Sequence, residues 1–241
     1  MTTSLKKAPE VTLWGFRFVY RLDTISFLAT AIIAYASCLF KIHIFYFWHI
    51  FGVFNVLKLC DEKKYDELTE YLMRAINNLV KSGAEFAALS ANTPHIVFDR
   101  LKEQSPIPLI SIVETTCEEA KHRELKKIGL LGTIFTMTEE FFKAPFVKNG
   151  IQVVIPSESE LKMINKKIST ELELGIIKEE TLLFFQNVIN RMKNENGIEA
   201  IVLGCTELPL LLNDEVSSVP CLDTMQIHIS SIIKTILDCS I

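Results

Sequence analysis

The sequence lacks a basic excess. Its 25 lysines and arginines stand against 29 aspartates and glutamates, for a net charge of −4 over 241 residues. Nucleic-acid binding wants a basic face, so no nucleic-acid partner is expected. The six cysteines (Cys38, Cys60, Cys117, Cys205, Cys221 and Cys239) form no CxxC pair and no short-spaced framework. That excludes a disulfide scaffold and points to reduced thiols in a cytoplasmic protein. The five histidines are scattered without metal-type spacing, so no metal site is expected. A tidy signal peptide is also missing: the charged opening is too long, and Phe47-Trp48-His49 continues past any cleavage point. What is present is 49% hydrophobic sequence, enough to bury a sizeable core in one large or two small domains.

Residues 1–57 differ from the rest. No charge occurs from residue 25 to residue 40, and after Lys41 and His43 the apolar run resumes to Leu57. Three readings stand: buried strands and a helix of a globular lobe, a membrane anchor over 25–57, or sequence not native to the fold, such as a shifted reading frame. A span needs roughly 20 apolar residues. Membrane contact is expected only if the anchor reading holds, and the basic residues before the run would then weakly place the main domain outside.

From residue 58 the chain alternates strands and helices. Tyr65, Leu68, Leu72, Ala75, Ile76, Leu79 and Val80 recur at helical spacing within 61–82, and Gly83 closes that helix. Strands are expected at 85–89, 109–113, 127–131, 151–155, 198–203 and 219–222. Helices are expected at 94–101, from Thr115 or Thr116 to 125, at 137–147, from Ser157 or Ser159 to 174, at 178–194, and at 226–238 behind Asp223 or Thr224. This alternation predicts an α/β fold with parallel sheets flanked by helices. The expected division is 58–113 plus 210–241 as one lobe and 114–209 as a second, with 1–57 as an atypical apolar segment.

Two stretches share one pattern. Apolar residues 200–203 lead into Gly204-Cys205-Thr206, and residues 86–89 lead into Ser90-Ala91-Asn92-Thr93-Pro94-His95. Small polar residues at the carboxyl ends of strands are where open α/β sheets bind ligands. A thiol there is available as nucleophile or general base. Asn-Thr-Pro is equally a good turn and cap, and Gly-Cys-Thr equally a packing turn.

The run Ala200-Ile201-Val202-Leu203-Gly204-Cys205-Thr206-Glu207-Leu208-Pro209-Leu210-Leu211 resembles the second-cysteine motif of the aspartate/glutamate racemase family. Ser90-Ala91-Asn92-Thr93-Pro94-His95 is similar to its first motif, in which cysteine usually precedes Asn-Thr. Lys126-Lys127-Ile128-Gly129-Leu130-Leu131-Gly132-Thr133, with the following Ile134-Phe135-Thr136-Met137, resembles its central strand and turn, and residues 168–178 a later segment. The resemblance covers about residues 58–241. It implies two pseudo-symmetric lobes with the site between them, an amino-acid or dicarboxylate substrate, and neither pyridoxal phosphate nor metal. It also implies that two cysteines exchange the α-proton from opposite faces, and that a homodimer is a common assembly. Carried onto this sequence, it makes Cys205 the acid/base residue. Asn92, Thr93, Thr133, Thr136 and Thr206 become substrate contacts, and Lys167 or Lys178 a partner of the side-chain carboxylate.

The sequence departs from the family at two points. Ala91 stands at the first-cysteine position, where it cannot move a proton, leaving Ser90, Thr93 or His95 as stand-ins; His95 also reads simply as a core or helix-start histidine. The single remaining cysteine resembles the arrangement of arylmalonate decarboxylase, so a lyase or isomerase of the same superfamily and a non-catalytic member are alternative readings. Second, the family opens with a strand and a substrate-lining Gly-Gly loop, whereas 1–57 holds only Gly15 and Gly52.

Overall fold

The computed structural model describes residues 53–238 without a break and, before them, residues 11–13, 16–18, 31–35 and 49–50. Strands β1 (Val11–Leu13) and β2 (Phe16–Phe18) pair with each other. Strands β3 (Ala31–Tyr35) and β4 (His49–Ile50) belong to a four-stranded sheet of order β4-β3-β5-β6, with β5 at Phe86–Leu89 and β6 at Leu109–Ile110. In it β5 and β6 run parallel, while β3 lies antiparallel to β5, with Ile33 opposite Ala88. Much of the 25–57 apolar segment, including 36–48, lies outside the described residues. Among the described residues no helix is long and apolar enough to cross a membrane.

Helix α1 (Val53–Asp61) runs into α2 (Tyr65–Lys81). The sequence reads a single helix over 61–82, but Lys63 adopts a left-handed φ of 54° and breaks it. The periodic face of α2 then buries Leu68, Leu72, Ala75, Ile76 and Leu79 with Ala87 and Leu89 of β5 and with Phe98 and Leu101 of α3 (Phe98–Gln104). This forms the first core.

The second sheet is fully parallel, in the order β10-β9-β7-β8, with β7 at Lys127–Gly132, β8 at Gln152–Val154, β9 at Ala200–Gly204 and β10 at Cys221–Asp223. Its central strands are buried on both faces and read as unbroken apolar runs, as parallel strands do. They are covered by α4 (Ile112–His122), α5 (Ile134–Thr138), α6 (Glu140–Lys148), α7 (Glu158–Thr170) and α8 (Glu179–Arg191). Phe142, Phe146 and Phe185 are fully buried there.

Two expectations need adjusting. Helix α4 starts earlier than expected, because Ser111 rather than Thr115 or Thr116 caps it, its side chain accepting the backbone N–H groups of Val113 and Glu114. Cys221–Asp223, expected in the first lobe, pairs with β9 of the second sheet, Leu222 opposite Val202. The closing helix α9 (Thr224–Asp238) does reach the first sheet, where Ile232 packs on Phe86 and Ala88. So residues 210–238 serve both sheets, since a strand is assigned by its hydrogen-bonded neighbour and not by its position in the chain.

Candidate active site

Strand β9 carries its side chains into the core and ends at Gly204, where space decides the residue. A Cβ on Gly204 would sit 2.8 Å from the Leu131 carbonyl oxygen and 2.8 Å from the Thr136 methyl. Backbone cannot move aside as a flexible side chain can. Gly204→Ala is therefore expected to cost about 1–3 kcal/mol by overpacking and to shift the residue that follows, read as a lower urea midpoint.

That residue is Cys205, 6% exposed. Its Sγ donates to Oε2 of Glu207 at 2.9 Å. Burial pushes the thiol well above its usual range; the Glu207 charge and its acceptance of the S–H add to the rise, while Glu207's backbone N–H opposes it. The resting group is a thiol hydrogen-bonded to a carboxylate.

The turn after β5 reaches this strand end through one threonine. Asn92 Nδ2 lies 3.4 Å from Thr224 Oγ1, and Thr224 Oγ1 donates to the Leu203 carbonyl at 2.9 Å. Because the hydroxyl proton is committed to Leu203, the hydroxyl accepts from Asn92, which fixes the amide orientation. Asn92 Oδ1 is then left buried without a partner, although Asn92 is only 5% exposed. Such an acceptor is costly unless a donor from a ligand or water meets it. Thr93, half-buried, opens a 3-10 turn (Thr93–Val97) next to it.

His95 is occupied elsewhere. Its Nε2 accepts the Ile112 N–H at 3.2 Å, so Nδ1 carries the proton and donates to the Ala91 carbonyl at 2.8 Å. His95 is 3% exposed and stacks on Phe98 with ring centroids 4.9 Å apart. It clamps the backbone of Ala91 and has no free nitrogen with which to replace the missing thiol.

The remaining expected contacts divide. Thr133 caps α5, its hydroxyl accepting the Thr136 N–H and lying 3.2 Å from the Thr136 hydroxyl, while the Thr136 methyl fills the gap between Gly132 and Gly204. Both stand at the strand end beside Cys205, with Thr136 fully buried as packing. Asn165 of α7 accepts the Ile134 N–H at 2.9 Å and holds that turn down. Thr206 is half-buried directly after Cys205. The two lysines are placed otherwise. Lys167 Nζ donates to Thr181 Oγ1 at 2.9 Å and lies 3.7 Å from Glu171, and Lys178 Nζ donates to Glu171 Oε1 at 3.2 Å. The Thr181 hydroxyl also donates to Glu171. That hydroxyl first, then Lys178 and Lys167, hold the Glu171 carboxyl below the usual carboxylate range.

The Asp/Glu/Hydantoin racemase family matches residues 34–232. The chain belongs to this racemase family. A putative Asp/Glu racemase of known structure from Yersinia pestis is 31% identical, with a TM-score of 0.76 over 83% of this chain and 87% of that one. An aspartate racemase homologue from Pyrococcus horikoshii is also 31% identical, with a TM-score of 0.71 over 79% and 84%. A broad-specificity amino-acid racemase from Bacillus subtilis is 26% identical over 72% of this chain and 74% of its own length. The family match begins at residue 34, ahead of the expected start near 58, so it takes in the end of β3 and its pairing with β5.

For this racemase-family chain, sequence reasoning missed two residues that touch the site. Glu207 had a readable signal: it stands two positions after the thiol, within reach of it. Thr224 read only as a possible cap for α9, a role that Asp223 takes by accepting the N–H groups of Met225 and Gln226. Its bridge from Asn92 to Leu203 joins positions 92, 203 and 224, and nothing local announces such a contact.

Proposed function

We propose that this chain is a cofactor-independent enzyme that moves the α-proton of an amino acid at Cys205. The observation that carries the reading is the Cys205 thiol, buried at a strand end and hydrogen-bonded to Glu207. In the forward step the S–H proton passes to Glu207. The thiolate then takes the α-proton, and the C–H electron pair stays on the substrate as an enediolate. Return of the proton from sulfur re-forms the C–H bond. The substrate ammonium donates to the orphaned Asn92 Oδ1, and its carboxylate is met by the Thr206 and Thr93 hydroxyls. Positioning and hydrogen bonds to the developing enediolate supply most of the rate, because the α-proton is a very weak acid. The substrate class is supported by the family and by the broad-specificity relative; aspartate and glutamate are the default substrates, and a cytoplasmic location belongs to the same proposal.

On the opposite face Ala91 offers no proton, so the chain exchanges the α-proton faster than it inverts the centre. The test is incubation of L-aspartate and L-glutamate, with L-alanine and L-lysine beside them, in deuterated water. Cys205→Ala is expected to lower α-deuterium incorporation by about 10²–10⁴-fold, the usual worth of a positioned acid/base. Incorporation unchanged in that variant rejects the reading.

A second reading is favoured by the same thiol. A group held protonated is suited to deliver a proton, as a single-cysteine decarboxylase does to the enediolate left when carbon dioxide departs. Turnover of a malonate-type substrate without α-exchange of any amino acid would select it.

A further inference from the structure

Two turns from different sheets must be held together for one substrate to lie between them, and the start of α9 joins them. Helix α9 follows β10 of the second sheet directly, and it packs Ile232 on Phe86 and Ala88 of the first. His228 grips the first sheet too, its Nε2 lying 3.2 Å from the Ile110 carbonyl. Thr224, one turn before His228, stands where the chain passes from one sheet to the other, and it is fully buried. Asp223 takes the capping of α9 by accepting the N–H groups of Met225 and Gln226, so the Thr224 hydroxyl has no duty to its own helix. It donates instead to the carbonyl of Leu203, two residues before Cys205, and accepts from Asn92 Nδ2 at 3.4 Å.

Asn92 shows the complementary pattern. It stands at the N-cap of the 3-10 turn Thr93–Val97, where an asparagine ordinarily turns its side-chain oxygen back onto a backbone N–H. Here the side chain makes no such bond, and the His95 N–H is met by the main-chain carbonyl of Asn92. The residue is 5% exposed, its Nδ2 is committed to Thr224, and its Oδ1 has no partner among the described residues. The direction of one proton holds this amide in place. Turned over, the amide would set Oδ1 against a hydroxyl oxygen whose hydrogen is already given to Leu203, lone pairs facing lone pairs. Without that hydroxyl both orientations are open, and one of them turns the free acceptor away.

We infer that Thr224 is a positioning residue: its hydroxyl orients the Asn92 amide so that Oδ1 is presented to the substrate ammonium, and it ties that acceptor to the strand that ends at Cys205. The assignment rests on the proposed α-proton chemistry at Cys205 and adds to it a residue that acts only through Asn92 and Leu203. The ammonium is bound alike in the ground state and the transition state, so losing its acceptor raises KM more than it lowers kcat.

The test follows α-deuterium incorporation into L-aspartate, L-glutamate, L-alanine and L-lysine in Thr224→Val, Thr224→Ser, Asn92→Ala and the double variant Thr224→Val with Asn92→Ala. Thr224→Val keeps the shape and removes the hydroxyl. KM is expected to rise about tenfold, the upper part of what one neutral hydrogen bond supplies, with kcat within about threefold of the unaltered chain. Thr224→Ser should restore KM. The double variant should match Asn92→Ala alone, because residues acting as one unit are not additive. An unmoved KM, a loss carried by kcat, no rescue by serine, or additive effects make Thr224 a packing residue and overturn the assignment while leaving Cys205 standing. Exchange that Cys205→Ala leaves unchanged rejects the α-proton reading instead, and the orientation of Asn92 is then decided on the free protein. Hydrogen exchange of the Asn92 side-chain amide, its NMR signal identified by loss in Asn92→Ala, measures it. Slow exchange in the unaltered chain is expected, speeded about tenfold in Thr224→Val while the backbone amides of β7 keep their rates. Fast exchange in the unaltered chain, or a rate that Thr224→Val does not move, rejects the bridge whether or not any variant turns over substrate.

Discussion

Ala91→Cys is expected to raise racemisation by about 10²-fold or more, the lower end of what one correctly placed acid/base group supplies, while α-deuterium exchange rises far less. The two readouts separate because exchange needs one face of the substrate and inversion needs two. On the proposed reading a methyl group at position 91 ends the chemistry on its face, while the turn that carries it is held. His95 fixes the Ala91 carbonyl from one side, and Asn92 is tied through Thr224 to the strand before Cys205. A thiol added there is delivered on a backbone that the rest of the molecule already holds, so the missing group is a side chain and not a geometry. The measurement is circular dichroism or chiral chromatography of D-isomer formation beside α-deuterium incorporation, in Ala91→Cys and in Ala91→Cys with Cys205→Ala. The double variant should lose the gain, since a single thiol at position 91 faces the same one-sided limit. If Ala91→Cys forms no more D-isomer than the unaltered chain, the two turns do not flank one substrate.

What was legible in the sequence follows from the range of the forces involved. Strand β9 and its stop were readable because an apolar run ending in glycine is a local signal, and Gly204 is required by a contact at 2.8 Å. The face of α2 was readable because helical spacing is local too, although the break at Lys63 was hidden by polar residues that suit a helix or a turn alike. Ser157 was readable as a cap because its capping box with Glu160 closes within four residues. The lysines were not. Lys167 sits on α7 and Lys178 before α8, and each had several carboxylates within reach of a long side chain; only the fold brings Glu171 and Thr181 between them. The bridge from Asn92 to Leu203 was hidden for the same reason, as was the membership of β10, which pairs across twenty residues with β9. The family resemblance carried Cys205 correctly to a strand end but carried no information about what each polar neighbour is bonded to, and the charge beside the thiol depends on that.

Stability is expected to fall steeply between pH 6.5 and pH 4, ahead of the carboxylates, and two histidines set that window. His95 and His228 are both buried, 3% and 2% exposed. Burial first, then the charge of His228, pushes His95 down to about 3, and burial pushes His228 down to about 4, from an ordinary value of 6.5. His95 is held neutral by a bond as well as by burial, since its Nε2 must stay unprotonated to accept the Ile112 N–H; His228 is held neutral by burial against its own bond, since Nε2 donates to the Ile110 carbonyl at 3.2 Å and that bond favours the charged ring. These contacts bracket the junction of β6 and α4. The unfolded chain takes up protons below pH 6.5 while the folded chain does not, so the stabilisation is complete above 6.5 and is lost as pH falls toward the folded values. Each histidine contributes a slope of about 1.4 kcal/mol per pH unit across the window, an upper limit where the folded chain opens before it titrates. Urea unfolding at pH 6.5, 5.5 and 4.5 measures it. His228→Gln keeps an N–H for the Ile110 carbonyl and removes one of the two titrating groups, so the slope should fall by about half. An unchanged slope in that variant would remove His228 as a source of the acid sensitivity; the carboxylates Glu160, Glu171 and Glu199, held below their ordinary range, lose their contribution only below about pH 4.5, outside this window.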